Sequence, residues 1–365
     1  MTLTGLPEGG LLLNGARAGY YRVNYDAANW ALLTEALEQG SAGSAAPAPA
    51  LSDLERAGLV DDALALAGAG RLGYDVPLAL LGALPRDGPS LAWVAALPWL
   101  TKLTHLLHGA PAAAAGGLHC RLLRTALCPA GASAFSRWAR ALAADLLHTS
   151  EGVRLSTDPV DHAFVERVQL WACGLGVPGC LGPAGAGAGP DPSATGNAGR
   201  RWVLRADQPM MRFDRFDLCG AQKSEQEWNE VLTSCLKGNQ AFLLKLADCI
   251  QSQEAARRML EILALESNDE ELAEDLLKKL TGNPYSYDTV INFLQTNLTQ
   301  LQTKYGSIDI AKHTLPFVKS NNQMIQLEGI LVTSKNSHLM NDSKHNVWWL
   351  QNQAERLLKE VRKLK

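Results

Sequence analysis

The stretch Gly19-Tyr20-Tyr21-Arg22-Val23-Asn24-Tyr25-Asp26-Ala27-Ala28-Asn29-Trp30-Ala31-Leu32-Leu33-Thr34-Glu35-Ala36-Leu37 contains the change of pattern on which the fold turns. Its first half is rich in strand-forming residues. With Leu11-Leu12-Leu13 upstream it reads as two short strands joined over Asn14 to Gly19. Two strands are not a stable sheet, so they must pair with strands outside this chain or pack on its helices. The second half puts Trp30, Leu33 and Leu37 on one helix face.

From Asp26 onward the helical pattern continues nearly to the end. Leu54, Ala57, Val60, Asp61 and Leu64 mark a second helix, and Trp93, Leu97, Leu100 and Leu103 another. Further helices are predicted over 135–148, 158–173, 240–250, 254–265, 271–280, 287–305 and 346–364. Many helices of this length joined by short turns predict a mostly α chain: an α-solenoid of HEAT/armadillo-like antiparallel pairs with a small β remnant at its start. The expected division is 1–26 as an incomplete β segment and 27–365 as a helical domain. Residues 182–199, mostly Gly, Ala, Pro and Ser, are expected to form a flexible loop within it.

Composition bounds the function. Hydrophobic residues at 47% and charged ones at 19% fit a globular chain with a sizeable core. A net charge of −3 gives no electrostatic case for nucleic acid. Met1 to Gly10 has no signal-peptide pattern and no apolar run approaches the roughly 20 residues of a membrane span, so no targeting or membrane segment is expected within these residues.

Gly68-Ala69-Gly70-Arg71-Leu72-Gly73 fits a dinucleotide fingerprint, but a helical stretch precedes it where a strand is required, so the glycines fit a helix C-terminus. No His is followed by Glu, so H-E-x-x-H is absent; G-x-S-x-G is absent too. His105 and His108 share a helix face without a nearby carboxylate and read as solvated or satisfied histidines. Asp61 and Asp62 read as solvated or as ion-paired with a neighbouring helix. No catalytic, cofactor or metal residue is assigned.

The seven cysteines are Cys120, Cys128, Cys173, Cys180, Cys219, Cys235 and Cys249. Cys173 and Cys180 bracket a glycine-rich turn able to bring them within bridging distance, and buried free thiols are the alternative. Asn297-Leu298-Thr299 and Asn341-Asp342-Ser343 are glycosylation candidates that tilt toward a secreted setting.

Several separated stretches resemble the aminopeptidase N type of zinc aminopeptidase, in the same order. Leu12-Leu13-Asn14, then Gly19 to Asp26 and Trp30, is similar to the segment where that family leaves its β-sandwich for its ERAP-like C-terminal helical region. Arg56, Leu59-Val60-Asp61-Asp62-Ala63, Leu66-Ala67 and Trp93 resemble the helices that follow. Ala172-Cys173 with Gly176-Val177-Pro178-Gly179-Cys180 looks like the family's short disulfide loop, and Cys219 with Cys249 its second bridge. Tyr305-Gly306-Ser307 and Asn346-Val347-Trp348-Trp349-Leu350 are weaker matches. On this resemblance Cys173 pairs with Cys180 and Cys219 with Cys249, which leaves Cys120, Cys128 and Cys235 uneven.

The resemblance implies the non-catalytic C-terminal domain of a zinc metallo-aminopeptidase that removes N-terminal residues from peptides. Such a domain covers the active site and limits peptide access. Zinc then belongs to the parent enzyme and not to this chain, which is expected to be inactive alone. Peptide is met through the catalytic domain, homodimer contacts are implied, and the setting is the extracellular face of the plasma membrane or the secretory lumen. The alternative is a free-standing helical-repeat interaction module derived from such a domain.

Overall fold

The computed structural model describes residues 10–39, 51–85, 91–108, 130–177, 180, 226, 232–233, 240–306, 308–327 and 337–364. Among them the chain is mostly helical, with no strand. The helices are α1 (Ala27–Gln39), α2 (Asp53–Gly68), α3 (Asp75–Ala83), α4 (Leu91–Leu107), α5 (Ala130–Glu151), α6 (Pro159–Gly174), α7 (Gln240–Cys249) and α8 (Gln253–Glu261). They continue as α9 (Glu270–Gly282), α10 (Tyr287–Lys304), α11 (Ile310–Thr314), α12 (Asn321–Gln326), α13 (Ser337–Asn352) and α14 (Ala354–Val361). The predicted loop over 182–199 lies outside the described residues.

The strands expected over 11–25 do not form. Strand backbone needs a neighbour, and here side chains take that place. The Asn29 amide accepts from Leu11 N–H at 2.7 Å and donates to Leu11 C=O at 2.8 Å. Leu13 N–H donates to the Tyr25 hydroxyl at 2.9 Å. Asn14, left-handed at φ 55°, accepts from Gly19 N–H and donates to the Gly19 and Tyr21 carbonyls. Strand-forming composition therefore folds as an irregular segment laid on helices. Asp26 then caps α1, its Oδ1 accepting from Asn29 N–H at 2.8 Å.

The chain divides into two compact units, the first comprising Met1–Leu103, Ala110–Val168 and Trp348–Lys365 and the second Thr104–Gly109 and Gln169–Val347. In the first, α3 packs against α1, α2 and α14, and α14 against α5. Trp30, Leu33 and Leu37 are buried as their spacing predicts, along with Trp93, Phe135 and Phe164. Leu54, expected inside, is 44% exposed, because α2 buries the face of Leu59, Val60, Ala63, Leu64 and Ala67. The start of α2 is a capping box between Ser52 and Glu55. Its end lies at Gly68, and Gly70 takes φ +72°, so the G-x-G-x-x-G stretch is a helix terminus. Helix α4 carries Pro98 in its interior. Proline has no N–H for the carbonyl four residues back, and that carbonyl, Val94 O, accepts instead from Arg167 Nη1 of α6. The helix predicted over 346–364 is broken at Gln353 into α13 and α14.

In the second unit, α9 packs against α7, α8, α10 and α11, and α10 against α8 and α12. Asn283, after α9, donates to the Ala247 and Ile250 carbonyls at 2.9 Å each and so closes the C-terminal end of α7. Helix α8 ends in a π turn, Ile262–Glu266, which leaves carbonyls without regular partners. The Tyr305 hydroxyl lies 2.9 Å from Leu263 O and 2.5 Å from Ser267 O, and Lys304 Nζ donates to Ala264 O at 3.0 Å. Burial holds the Tyr305 hydroxyl above its ordinary pKa, so it remains a donor.

Candidate functional site

The first unit contains an arginine–aspartate clasp. Helix α2 presents Asp61 and Asp62 on adjacent positions, and the ion pairs of both come from arginines of the irregular segment, not from a neighbouring helix. Arg17 Nη1 donates to both Asp62 oxygens at 3.1 Å, Arg22 Nη1 to Asp62 Oδ1 at 3.2 Å, and Val23 N–H to Asp62 Oδ2 at 3.1 Å. Asp61 accepts from Arg22 Nη1 at 2.5 Å and from Trp99 Nε1 of α4 at 2.9 Å. The Asp62 side chain is 7% exposed. A carboxylate this buried is tolerable only when paired and hydrogen-bonded. Burial works against the charge on Arg22, but the bonds to Asp61 and Asp62 outweigh it and hold Arg22 above its ordinary pKa.

Two backbone features serve the clasp. Arg17 itself is left-handed at φ 52°, a conformation costing about 1 kcal/mol or more in a non-glycine residue and sustained by surrounding contacts. At Gly58, one turn before Asp62, a Cβ would stand 2.3 Å from the Arg17 guanidinium, so glycine leaves the path open. Arg22 and Asp61-Asp62 were visible in sequence as separate matches to one family. Their mutual partnership was not, and Arg17 carried no signal.

In the second unit the predicted Cys173–Cys180 bridge is present, with Cα atoms 5.2 Å apart. Helix α6 ends at Gly174, and Gly176 takes φ +69° with its N–H donating to Cys173 O at 2.9 Å, which turns the chain back. Of the second predicted pair, Cys219 lies outside the described residues, as do Cys120, Cys128 and Cys235. The sequon asparagines Asn297 and Asn341 sit within α10 and α13. Asn297 Nδ2 donates to Phe293 O at 2.9 Å, and the sequon hydroxyl of Ser343 is buried, donating to Leu315 O at 2.7 Å.

His105 is neither solvated nor satisfied. It is 1% exposed, lies against the Tyr287 and Phe317 rings, and neither ring nitrogen makes a hydrogen bond. His108 packs on Tyr285 with ring centroids 4.2 Å apart. Among the described residues no three His, Cys, Asp or Glu side chains are grouped so as to hold a metal ion. The donor set of the described residues therefore does not fit a catalytic zinc, which needs three fixed protein ligands and an open position.

Residues 11–337 match the family described as the ERAP1-like C-terminal domain. The chain belongs to that family. Clasp, disulfide turn and His105 all fall inside the matched range of the ERAP1-like domain. Among curated relatives, the thyrotropin-releasing hormone-degrading ectoenzyme of Homo sapiens is 41% identical over 106 residues, 29% of this chain and 9% of its own length. Aminopeptidase N of Plutella xylostella is 34% identical over 98 residues, 27% of this chain and 10% of its own length. Glutamyl aminopeptidase of Homo sapiens is 39% identical over 83 residues, 23% of this chain and 8% of its own length. Each alignment thus covers a tenth or less of a much longer protein. Among the described residues no helix is long and apolar enough to cross a membrane.

Proposed function

We propose that this ERAP1-like domain is the C-terminal, non-catalytic part of a zinc metallo-aminopeptidase, where it covers the active site and limits which peptides reach it. The family match over residues 11–337 carries this reading, supported by relatives whose names are those of aminopeptidases. Zinc and the proton-transferring groups then reside on a preceding catalytic domain, through which the chain meets peptide. Tyr20 and Tyr21, fully and 59% exposed on the irregular segment, suit a junction with a preceding β-sandwich. Packing of α9 on α7 and α11, and of α10 on α8, suits a solenoid of helix pairs. An ectoenzyme among the relatives favours an extracellular or secretory-lumen setting, in which the disulfide persists and Asn297 and Asn341 are glycosylation acceptors. Homodimer contacts belong to the same reading.

The test is the full transcript upstream of Met1. An in-frame H-E-x-x-H is the expected result. An in-frame stop close upstream, with the 365-residue chain as the sole product in cells, would favour a free-standing interaction module.

A further inference from the structure

The second unit keeps an imidazole where a protonated one has no place. His105, on the last turn of α4, is enclosed by Tyr287 of α10 (ring centroids 5.0 Å), by Phe317 of the 3-10 turn Leu315–Phe317 (4.5 Å) and by the end of α9 at Gly282. The charged groups acting on it are Lys319, two residues beyond Phe317, and His108 on its own helix. Lys319 is itself 9% exposed, donates to His108 O at 3.1 Å, stands 5.6 Å from the Tyr287 ring centroid and reaches Asp288 at 4.0 Å. Tyr285, against His108, completes the titratable groups of this cluster. The backbones of Gly282 and Phe317 approach closely enough to favour a charged ring, yet neither ring nitrogen closes a hydrogen bond.

We propose that His105 is an acid-sensitive latch, whose neutral ring holds the last turn of α4 against Tyr287, Phe317 and Lys319 and whose protonated ring cannot be housed there. An imidazolium needs two well-placed acceptors for its two N–H groups; the Gly282 and Phe317 backbones stand near without closing a hydrogen bond to either nitrogen, two aromatic rings enclose the remainder, and the Lys319 charge opposes a second cation. Protonation therefore expels the ring and frees the segment that carries Phe317 and Lys319. Burial, then Lys319 and His108, push the folded-state pKa of His105 well below its ordinary value. The unfolded ring accepts a proton below about pH 6.5 that the folded ring refuses, so the stabilisation is complete above that pH and is lost as pH falls. The loss steepens toward about tenfold in the folded-to-unfolded ratio per pH unit.

The experiment combines histidine C2–H exchange, read by mass spectrometry on the full chain, with urea unfolding at each pH from about 8 to about 5. His148, whose side chain is 90% exposed, serves as the exchange reference. The expected result is that His105 exchanges as a neutral ring as long as it stays enclosed, and that the acid loss is reduced in both His105→Phe and His105→Leu. Lys319→Met reads the same point without touching the ring: removing the cation should move His105 protonation to higher pH and flatten the acid loss. Titration of His105 near its ordinary value with the native fold intact, or equal acid loss in wild type and all variants, would overturn the latch.

Discussion

Arg17 holds one guanidinium nitrogen 3.1 Å from each carboxylate oxygen of Asp62, across 45 residues of sequence. That relationship ties the irregular start of the domain to α2. Asp62→Asn leaves Arg17 and Arg22 facing a neutral amide. The side chains of Arg17 and Arg22 are 25% and 44% exposed, so solvent offsets part of the loss, and we predict a destabilisation of about 2–3 kcal/mol. Asp61→Asn, on a residue 35% exposed at its side chain, should cost about 1 kcal/mol or less. Urea midpoints of the two variants check the order; equal effects would contradict it.

Gly58→Ala tests the same clasp from its other side. A methyl group there meets the Arg17 guanidinium, which must leave Asp62 to make room. The expected cost is about 1–2 kcal/mol, falling to near zero or a gain in an Arg17→Ala background, where only helix propensity remains. An additive double-mutant cycle would contradict the contact.

The carbonyl that Pro98 leaves without a helical donor gives a third prediction. Arg167→Ala strips Val94 O of its remaining partner and should cost about 1–2 kcal/mol. Pro98→Ala restores an N–H four residues on, so Arg167→Ala should be less damaging in that background. Thermal melts of the four proteins supply the comparison. An unchanged penalty would mean that Arg167 acts through packing alone.

How far the sequence reached depended on whether a feature was periodic or relational. Trp30, Leu33 and Leu37 lie on a 3.6-residue spacing and were legible, as was the turn that joins Cys173 to Cys180. Helix α3 was missed because Pro77, Leu78, Leu80, Leu81 and Ala83 are all buried, so no polar face marks a period. Leu11 to Tyr25 misled because strand propensity describes a pleated surface with a neighbour, and Asn29 and Asp62 supplied side-chain partners instead. His105 looked ordinary because the rings of Tyr287 and Phe317 approach it from 182 and 212 residues away in the chain.

The disulfide turn rests on two residues that can be separated. Gly176→Ala places a side chain at φ +69° and against the Gln251 amide, and should cost about 1–3 kcal/mol whether or not the bridge is oxidised. Cys173→Ser should cost about 2–3 kcal/mol under oxidising conditions alone. Melting temperatures with and without reductant distinguish them; a reductant-insensitive wild type would show that the bridge contributes nothing.

The most direct test of the account is activity and metal content measured together on the purified chain. Peptide hydrolysis by a zinc aminopeptidase requires a metal that activates water and a carboxylate that moves its proton. The described residues bring no three metal-ligating side chains together, and the sequence has no H-E-x-x-H. We predict no stoichiometric zinc by elemental analysis and no chelator-sensitive turnover of aminoacyl reporter substrates. One tightly bound zinc per chain together with chelator-sensitive aminopeptidase turnover would contradict the reading of this chain as a non-catalytic domain.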